Sequence, residues 1–310
     1  MNNQQEVFQY LSLRLRSIFG AMDTKIVLRE IRLRAGKPLM VYGDLGEMYI
    51  DERGKPTIME NAAIVSIKDI RETLEYVSNY SLYAYEEEIK GGFITMPGGN
   101  RVGICGRAVC DREGLKTIRN ISFVNIRMAH QIKGCSDKIM EQLYENEIFL
   151  HTLIVSPPCC GKTTLLRDII RNVSDGFGAH VGQTVGLVDE RSEIAACNLG
   201  IPQNDIGIRT DVMDGCPKAF GMSMLIRSMS PGVLAVDEIG SKDEVTAIKY
   251  AINCGTKILA TIHGSSIEEL LKKPEVKTLL EEEIFERIII LSGGKPGRIQ
   301  GIYNGKGELL

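Results

Sequence analysis

Residues Leu153 to Ile170 read LIVSPPCCGKTTLLRDII, an apolar strand, a tight loop and the start of an amphipathic helix. Few features confine a chain so strongly. The pattern G-x-x-x-x-G-K-[ST] aims backbone N–H groups at phosphate oxygens from the N-terminus of a helix. Gly161, Lys162 and Thr163 hold its second half, while Ser156 stands where the first glycine belongs and Pro157, Pro158, Cys159 and Cys160 fill the interval. Serine is small and suits turns, and cysteines present backbone N–H groups as other residues do. The segment from Ser156 to Thr164 is therefore expected to cradle nucleotide phosphates. Lys162 would pair with the β- and γ-phosphates, and the Thr163 hydroxyl would ligate Mg²⁺.

A second element strengthens this reading. MLIRSMSPGVLAVDEIG closes an apolar strand with Asp237 and Glu238, the form of a Walker B element. Asp237 would hold Mg²⁺ through water and Glu238 would polarise the attacking water. Two more apolar strands end in polar groups: VGLVDERSEIA carries Asp189, Glu190, Arg191 and Glu193, and KILATIHGSS carries Thr261 and His263. Ligands of open α/β sheets bind outside the carboxyl ends of the strands, so four strand ends are expected to meet at one crevice. There Asp189 would join the metal, Glu190 and Glu193 the catalytic acids, and His263 would sense the γ-phosphate.

The chain changes texture near HQIKGCSD, which divides it into residues 1–133 and 134–310. The front is a small α+β domain. EIRLRAGKPLMVYGDLGEMYI reads as three strands with glycine turns, IKDIRETLEYVSNYSLYAYEEEI as a helix broken near Asn79 and Ser81, and GGFITMPGGNRVGICGRAVC as a hairpin. The back alternates a helix at Asp137 to Tyr144, buried strands and further helices, the pattern of a mostly parallel sheet covered on both faces. The front carries 19 basic against 16 acidic residues and the back 18 against 24, so the net charges are +3 and −6.

Composition removes several alternatives. Lys plus Arg is 37 against 40 Asp plus Glu, without the basic excess that marks direct nucleic-acid binding. The N-terminal stretch has no basic-then-apolar leader, and no apolar run approaches the ~20 residues of a membrane span. Membrane association is thus expected only through partners, and the location cytoplasmic. Eight cysteines without a C-x-x-C pair, and four histidines, speak against zinc. They read as reduced thiols, with Cys159 and Cys160 open to oxidative damage rather than serving catalysis. LSGGK, Leu291 to Lys295, imitates the signature loop of ABC transporters but follows Asp237 instead of preceding it, and reads as a strand end with a glycine turn. Without a guanine-reading N-K-x-D motif, ATP is favoured over GTP.

From Ile67 to Ser292 the order of phosphate loop, acid box, Walker B and His box resembles the secretion ATPase superfamily, the ring ATPases of type II and type IV secretion. EIRLRAGKPL, GGFITMPGGNRVGICGRAV, SPPCCGKTTLLRD and VLAVDEIG resemble the phrases of a branch that serves endospore formation. Cys159, where glycine is common, and Gly232, where an acid often follows the proline, depart from the pattern without touching a phosphate or metal ligand. The resemblance implies a RecA-like ATPase domain using ATP and Mg²⁺, assembled as a hexameric ring whose N-terminal domains lend arginines to the nucleotide. Arg101, Arg107 and Arg127 are the candidates; Arg32 and Arg34 share a strand face that is as well explained by solvation. It further implies membrane channel proteins of the sporulation apparatus as partners, in the mother cell. A nucleic-acid translocase and a nucleotide-gated ring without turnover are the alternative readings.

Overall fold

The computed structural model describes residues 3–111, 114–129, 131–293 and 297–310. The chain forms two compact units, Met1–His130 and Gln131–Leu310.

In the first unit α1 (Asn3–Phe8) and α2 (Leu13–Gly20) precede β1 (Leu28–Arg34), β2 (Met40–Gly43), β3 (Gly46–Ile50) and β4 (Pro56–Thr57). Then come α3 (Ile67–Val77), α4 (Glu86–Lys90), β5 (Phe93–Thr95), β6 (Arg101–Asp111) and β7 (Gly114–Arg127). All seven strands make one sheet in the order β4-β3-β2-β1-β7-β6-β5, joined by antiparallel pairings throughout. Period-two alternation sends Ile31, Leu33, Val102, Ile104, Val124 and Ile126 into one core. Helix α3 stops where the sequence implied, because Asn79 and Tyr80 take left-handed φ values of 48° and 62°. Its start is fixed by a capping box between Ser66 and Asp69. The Asp69 carboxylate also accepts from Ser12 Oγ and Arg14 Nη1, each at 2.8 Å, which ties α2 to α3.

The three candidate arginines all fall on the β6–β7 hairpin. Arg101 stands opposite Arg127, and Arg107 opposite Arg119. Arg127 also faces Glu30 across β1, so Glu30, Arg32, Arg34, Arg101 and Arg127 share the sheet face away from the core.

The second unit holds two small hairpins, β8 (Tyr144–Glu145) with β9 (Ile148–Phe149) and, further on, β11 (Gly176–Phe177) with β12 (His180–Val181). Between them run β10 (Thr152–Ser156) and α5 (Lys162–Asp175). The rest is β13 (Val185–Asp189), β14 (Thr210–Asp214), α6 (Lys218–Met229), β15 (Val233–Val236), α7 (Lys242–Asn253) and β16 (Lys257–His263). It closes with α8 (Ile267–Leu270), α9 (Pro274–Glu281), β17 (Arg287–Leu291) and β18 (Ile299–Asn304). The main sheet has the order β14-β13-β15-β16-β10-β17-β18, parallel except for β18 at one edge. Alternate residues of the buried strands serve two cores. Ile154, Leu187, Ala235, Leu259 and Ile289 meet Leu166, Ile169 and Ile170 of α5 on one face. Leu153, Val155, Val188, Leu234 and Ile258 meet Leu225, Ile248 and Leu279 of α6, α7 and α9 on the other.

One expectation is corrected. No α-helix spans Asp137 to Tyr144: a single 3₁₀ turn at Met140–Leu143 leads directly into β8. The polar groups that would start that helix are taken by α5. Ser136 N and Oγ both donate to Asp168 at 2.8 Å, and Asp137 accepts from Asn172 at 3.1 Å. Strands β14 and β18, which have no apolar run to announce them, are edge strands of largely intermediate burial. In the LSGGK stretch Leu291 ends β17, as read, while Gly294 and Lys295 lie outside the described residues.

Candidate active site

Strands β13, β15, β16 and β10 lie side by side and parallel, so their carboxyl ends open on one edge of the sheet. From β10 the chain enters the loop through Ser156, fully buried, whose Oγ donates to Pro157 O at 2.8 Å and whose carbonyl accepts from Gly264 N at 3.2 Å. Cys160 points inward and donates to Pro158 O at 3.3 Å. Gly161 caps α5 in the left-handed region at φ 87°, a conformation that glycine adopts freely.

Cys159 also takes a left-handed φ, 60°, where a side chain costs about 1–2 kcal/mol. This is the position where glycine would be common. The Cys159→Gly variant gains that strain back and loses part of it to the entropy of the unfolded chain. Its urea midpoint is therefore expected at or slightly above that of the parent, with nucleotide affinity unchanged. A clear drop in midpoint would mean that the thiol makes a contact worth more than the strain.

Lys162 and Thr163 point from the first turn of α5 at the end of β15. Lys162 Nζ donates to Glu238 Oε1 at 2.7 Å and lies 3.7 Å from Asp237 Oδ1, while Thr163 Oγ1 donates to Asp237 Oδ2 at 3.2 Å. Thr261, on β16, locks the two acids together: its hydroxyl donates to Asp237 and accepts from Glu238 N. His263 Nε2 sits 2.8 Å from Glu238 Oε1, and Arg191 Nη1 donates to Glu238 Oε2 at 3.1 Å. Burial pushes the Glu238 carboxyl up, but the Lys162 hydrogen bond and the charges of Lys162, His263 and Arg191 outweigh it. Glu238 therefore lies below its ordinary range and is ionised at neutral pH. Its backbone is left-handed too, at φ 55°.

The acid box also shapes the loop that follows it. Both oxygens of Asp189 are turned onto the following loop and accept from Glu193 N, Ile194 N and Ala195 N at 2.8–2.9 Å. Burial pushes its carboxyl up in spite of those three bonds. Arg167 of α5 holds the same loop from the other side, donating to the carbonyls of Glu193 and Ile194 at 2.6 Å. Asp189 thus anchors that loop while lining one crevice with Asp237 and Glu238; among the described residues no three His, Cys, Asp or Glu side chains form a metal cluster. Glu190 and Glu193 are exposed on the rim of the crevice that Asp189, Asp237 and Glu238 line. Glu190 comes within 3.6 Å of Lys218 Nζ.

Thr163 and Asp237 remain as the pair suited to Mg²⁺, a hydroxyl and a carboxylate beside the lysine that would face phosphate oxygens. A pocket of about 440 Å³ opens next to the loop, lined by Gly161, Thr164, Leu165, Cys135, Lys138 and Ile299 among others. Its size and partly apolar wall suit a small ligand. The Cys135 thiol there is pushed up to about 12 by burial and by the Asp168 charge, which leaves it a neutral wall group. This pocket, and Arg167 and Lys218 as members of the site, are not legible in the sequence, where nothing local marks them; Arg191 is named in the acid box but given no role.

The whole chain, residues 1–310, matches the family described as Sporulation stage III, protein AA. Over 284 residues it is 42% identical to Stage III sporulation protein AA of Bacillus subtilis, covering 91% of this chain and 89% of that protein. Another relative, Uncharacterized protein ycf45 of Porphyra purpurea, is 27% identical over 190 residues, 59% of this chain and 31% of that longer protein. Among solved structures, the pilus retraction motor PilT with bound ADP superposes with a TM-score of 0.56 at 14% identity, over 91% of this chain and 79% of that one. The Legionella pneumophila ATPase DotB gives 0.51 at 14% identity, over 84% and 71%. These two share the fold, a RecA-like unit behind a small α+β unit. The chain belongs to the Sporulation stage III, protein AA family.

Proposed function

We propose that this protein hydrolyses ATP as a ring and uses the energy at a membrane channel between mother cell and forespore during endospore formation. The observation that carries the reading is the junction of α5 with the end of β15. One phosphate-loop lysine, one magnesium-type Thr–Asp pair and one ionised glutamate meet within hydrogen-bond reach. A chain that only bound nucleotide would need the first two.

ATP would enter with its phosphates on the loop N–H groups from Cys159 to Thr164 and its base in the pocket beside Cys135 and Ile299. Thr163 and Asp237 would hold Mg²⁺, which would supply charge neutralisation to the phosphates. Lys162 would leave Glu238 for the β- and γ-phosphates. Glu238, so released, would orient the attacking water and accept its proton, with His263 placed between that carboxylate and the γ-phosphate. Charge on the transferring group calls for a further cation. In the first unit two cross-strand pairs set arginine against arginine. Arginines gathered on one hairpin suit a phosphate, beside the Glu30 that also faces Arg127. We assign Arg101, Arg107 and Arg127 to that role toward a nucleotide on a neighbouring chain, in a hexamer. Among the described residues no helix is long and apolar enough to cross a membrane, so attachment to the channel is assigned to partner proteins in the mother-cell cytoplasm.

The test is ATPase rate per chain against protein concentration, with Lys162→Ala as blank. A rate that climbs with concentration and vanishes in the variant supports the shared-site ring. A rate per chain that stays flat would rule out shared arginines, and wild-type turnover no higher than the blank would rule out the ATPase.

A further inference from the structure

Beyond the phosphate contacts stands Lys218, the first residue of α6. Its ammonium is nearly buried, with 12% of the side chain exposed, at the wall of the crevice that Asp237 and Glu238 line. It donates to the carbonyl oxygen of Glu238 at 2.6 Å and pairs with Glu244 Oε1 at 3.0 Å, with Glu190 Oε2 at 3.6 Å. Glu244 in turn accepts from Gly240 N at 2.7 Å and Ser241 N at 3.0 Å, closing the capping box of α7. One lysine therefore joins the acid-box loop, the turn after β15 and the start of α7.

That turn carries a strained residue. Glu238 has a φ of 55°, and such conformations persist only where surrounding contacts over-determine them. Its N–H is held by Thr261 Oγ1 at 2.9 Å, and the next N–H, of Ile239, by Thr261 O at 2.9 Å. The carbonyl between them is held by Lys218. We infer that Lys218 is the positioning residue for the catalytic glutamate: it clamps the Glu238 backbone in the left-handed conformation that aims the carboxylate at Lys162, Arg191 and His263. The inference rests on the ATPase reading for its meaning in turnover but not for its effect on the carboxylate.

Lys218 also pairs with Glu244 and Glu190, so the part of its effect that passes through Glu238 is read from the double variant. A displacement of about 1 Å in a reacting group costs on the order of 10²-fold in rate. For Lys218→Met a fall in kcat of about that size is expected, with substrate KM no higher. Lys218→Arg, which keeps a donor and the charge, should recover most of the loss. Equilibrium binding of a fluorescent ATP analogue supplies a readout that needs no turnover. With Glu238 no longer aimed at Lys162, Lys218→Met should bind the analogue more tightly, as Glu238→Gln should, and the double variant should equal Glu238→Gln. Multiplying effects in the double variant, weaker binding in Lys218→Met, or a loss traced only to a lower melting temperature would overturn the inference. Wild-type turnover equal to that of Lys162→Ala would sink the ATPase reading instead, and the binding cycle would still decide on Lys218.

Discussion

Replacing Glu238 by Gln is expected to abolish turnover and to tighten nucleotide binding in the same protein. The two effects have one cause. Lys162, 7% exposed, is paired at 2.7 Å with a carboxylate that is itself only 27% exposed. Phosphate binding must take the lysine away from that partner. An amide of the same shape accepts a weaker, uncharged hydrogen bond, so less is lost when Lys162 moves to phosphate. Hydrogen bonds to charged groups contribute about 1.5–3 kcal/mol, and losing half of that competition is worth about tenfold in affinity. Meanwhile the amide cannot accept the proton of the attacking water, and general-base catalysis contributes about 10²–10⁴-fold. Stopped hydrolysis together with a lower Kd for a fluorescent ATP analogue is the expected pair of results. Stopped hydrolysis with weakened binding would mean that Glu238 organises the site rather than competing for its lysine.

The elements that could be read from the chain are those whose signal is local. β10, β13, β15, β16 and β17 are largely apolar runs; β10, β13 and β16 close on Ser156, Asp189 and His263, and Asp237 follows β15, because these strands end at the open edge of the sheet. The break after α3 was written in Asn79 and its neighbours. What escaped is made by tertiary contact. β14, Thr210–Asp214, has no apolar run, and pairs with β13 only because that strand needs a partner on its outer side. The segment after Ser136 has helical spacing, yet Asp168 and Asn172 take its polar groups from across space. The same holds at the site. Asp189 has the residue type and strand position of a metal ligand; only the fold of residues 190–196, with left-handed Ser192 and Ala196, turns three N–H groups onto it. Lys218 lies 20 residues before the glutamate whose carbonyl it holds, at a spacing that fits no periodic pattern.

Two inactive chains should make an active mixture. In Lys162→Ala the phosphate site is disabled and the first-unit arginines are intact; in a chain with Arg101, Arg107 and Arg127 all changed to Gln the reverse holds. If each nucleotide is completed by the neighbouring chain, neither homogeneous ring contains a whole site. Removing an arginine that serves a neighbour's phosphate costs about 10³–10⁵-fold, so both should lie near the blank. A head-to-tail ring sets one kind of surface against another. In an equal, randomly assembled mixture, about a quarter of the interfaces then pair an intact Lys162 with intact arginines. Recovery to roughly that fraction of the parental rate is expected, rising and falling as the ratio departs from equality. The glutamines keep the strand pairing of β6 and β7 and remove two like-charge oppositions, Arg101 with Arg127 and Arg107 with Arg119, so folding should not suffer. A mixture that stays dead while gel filtration shows mixed rings would place the missing cation in the same chain as the phosphate loop. Arg191, already 3.1 Å from Glu238, would then be the residue to change next.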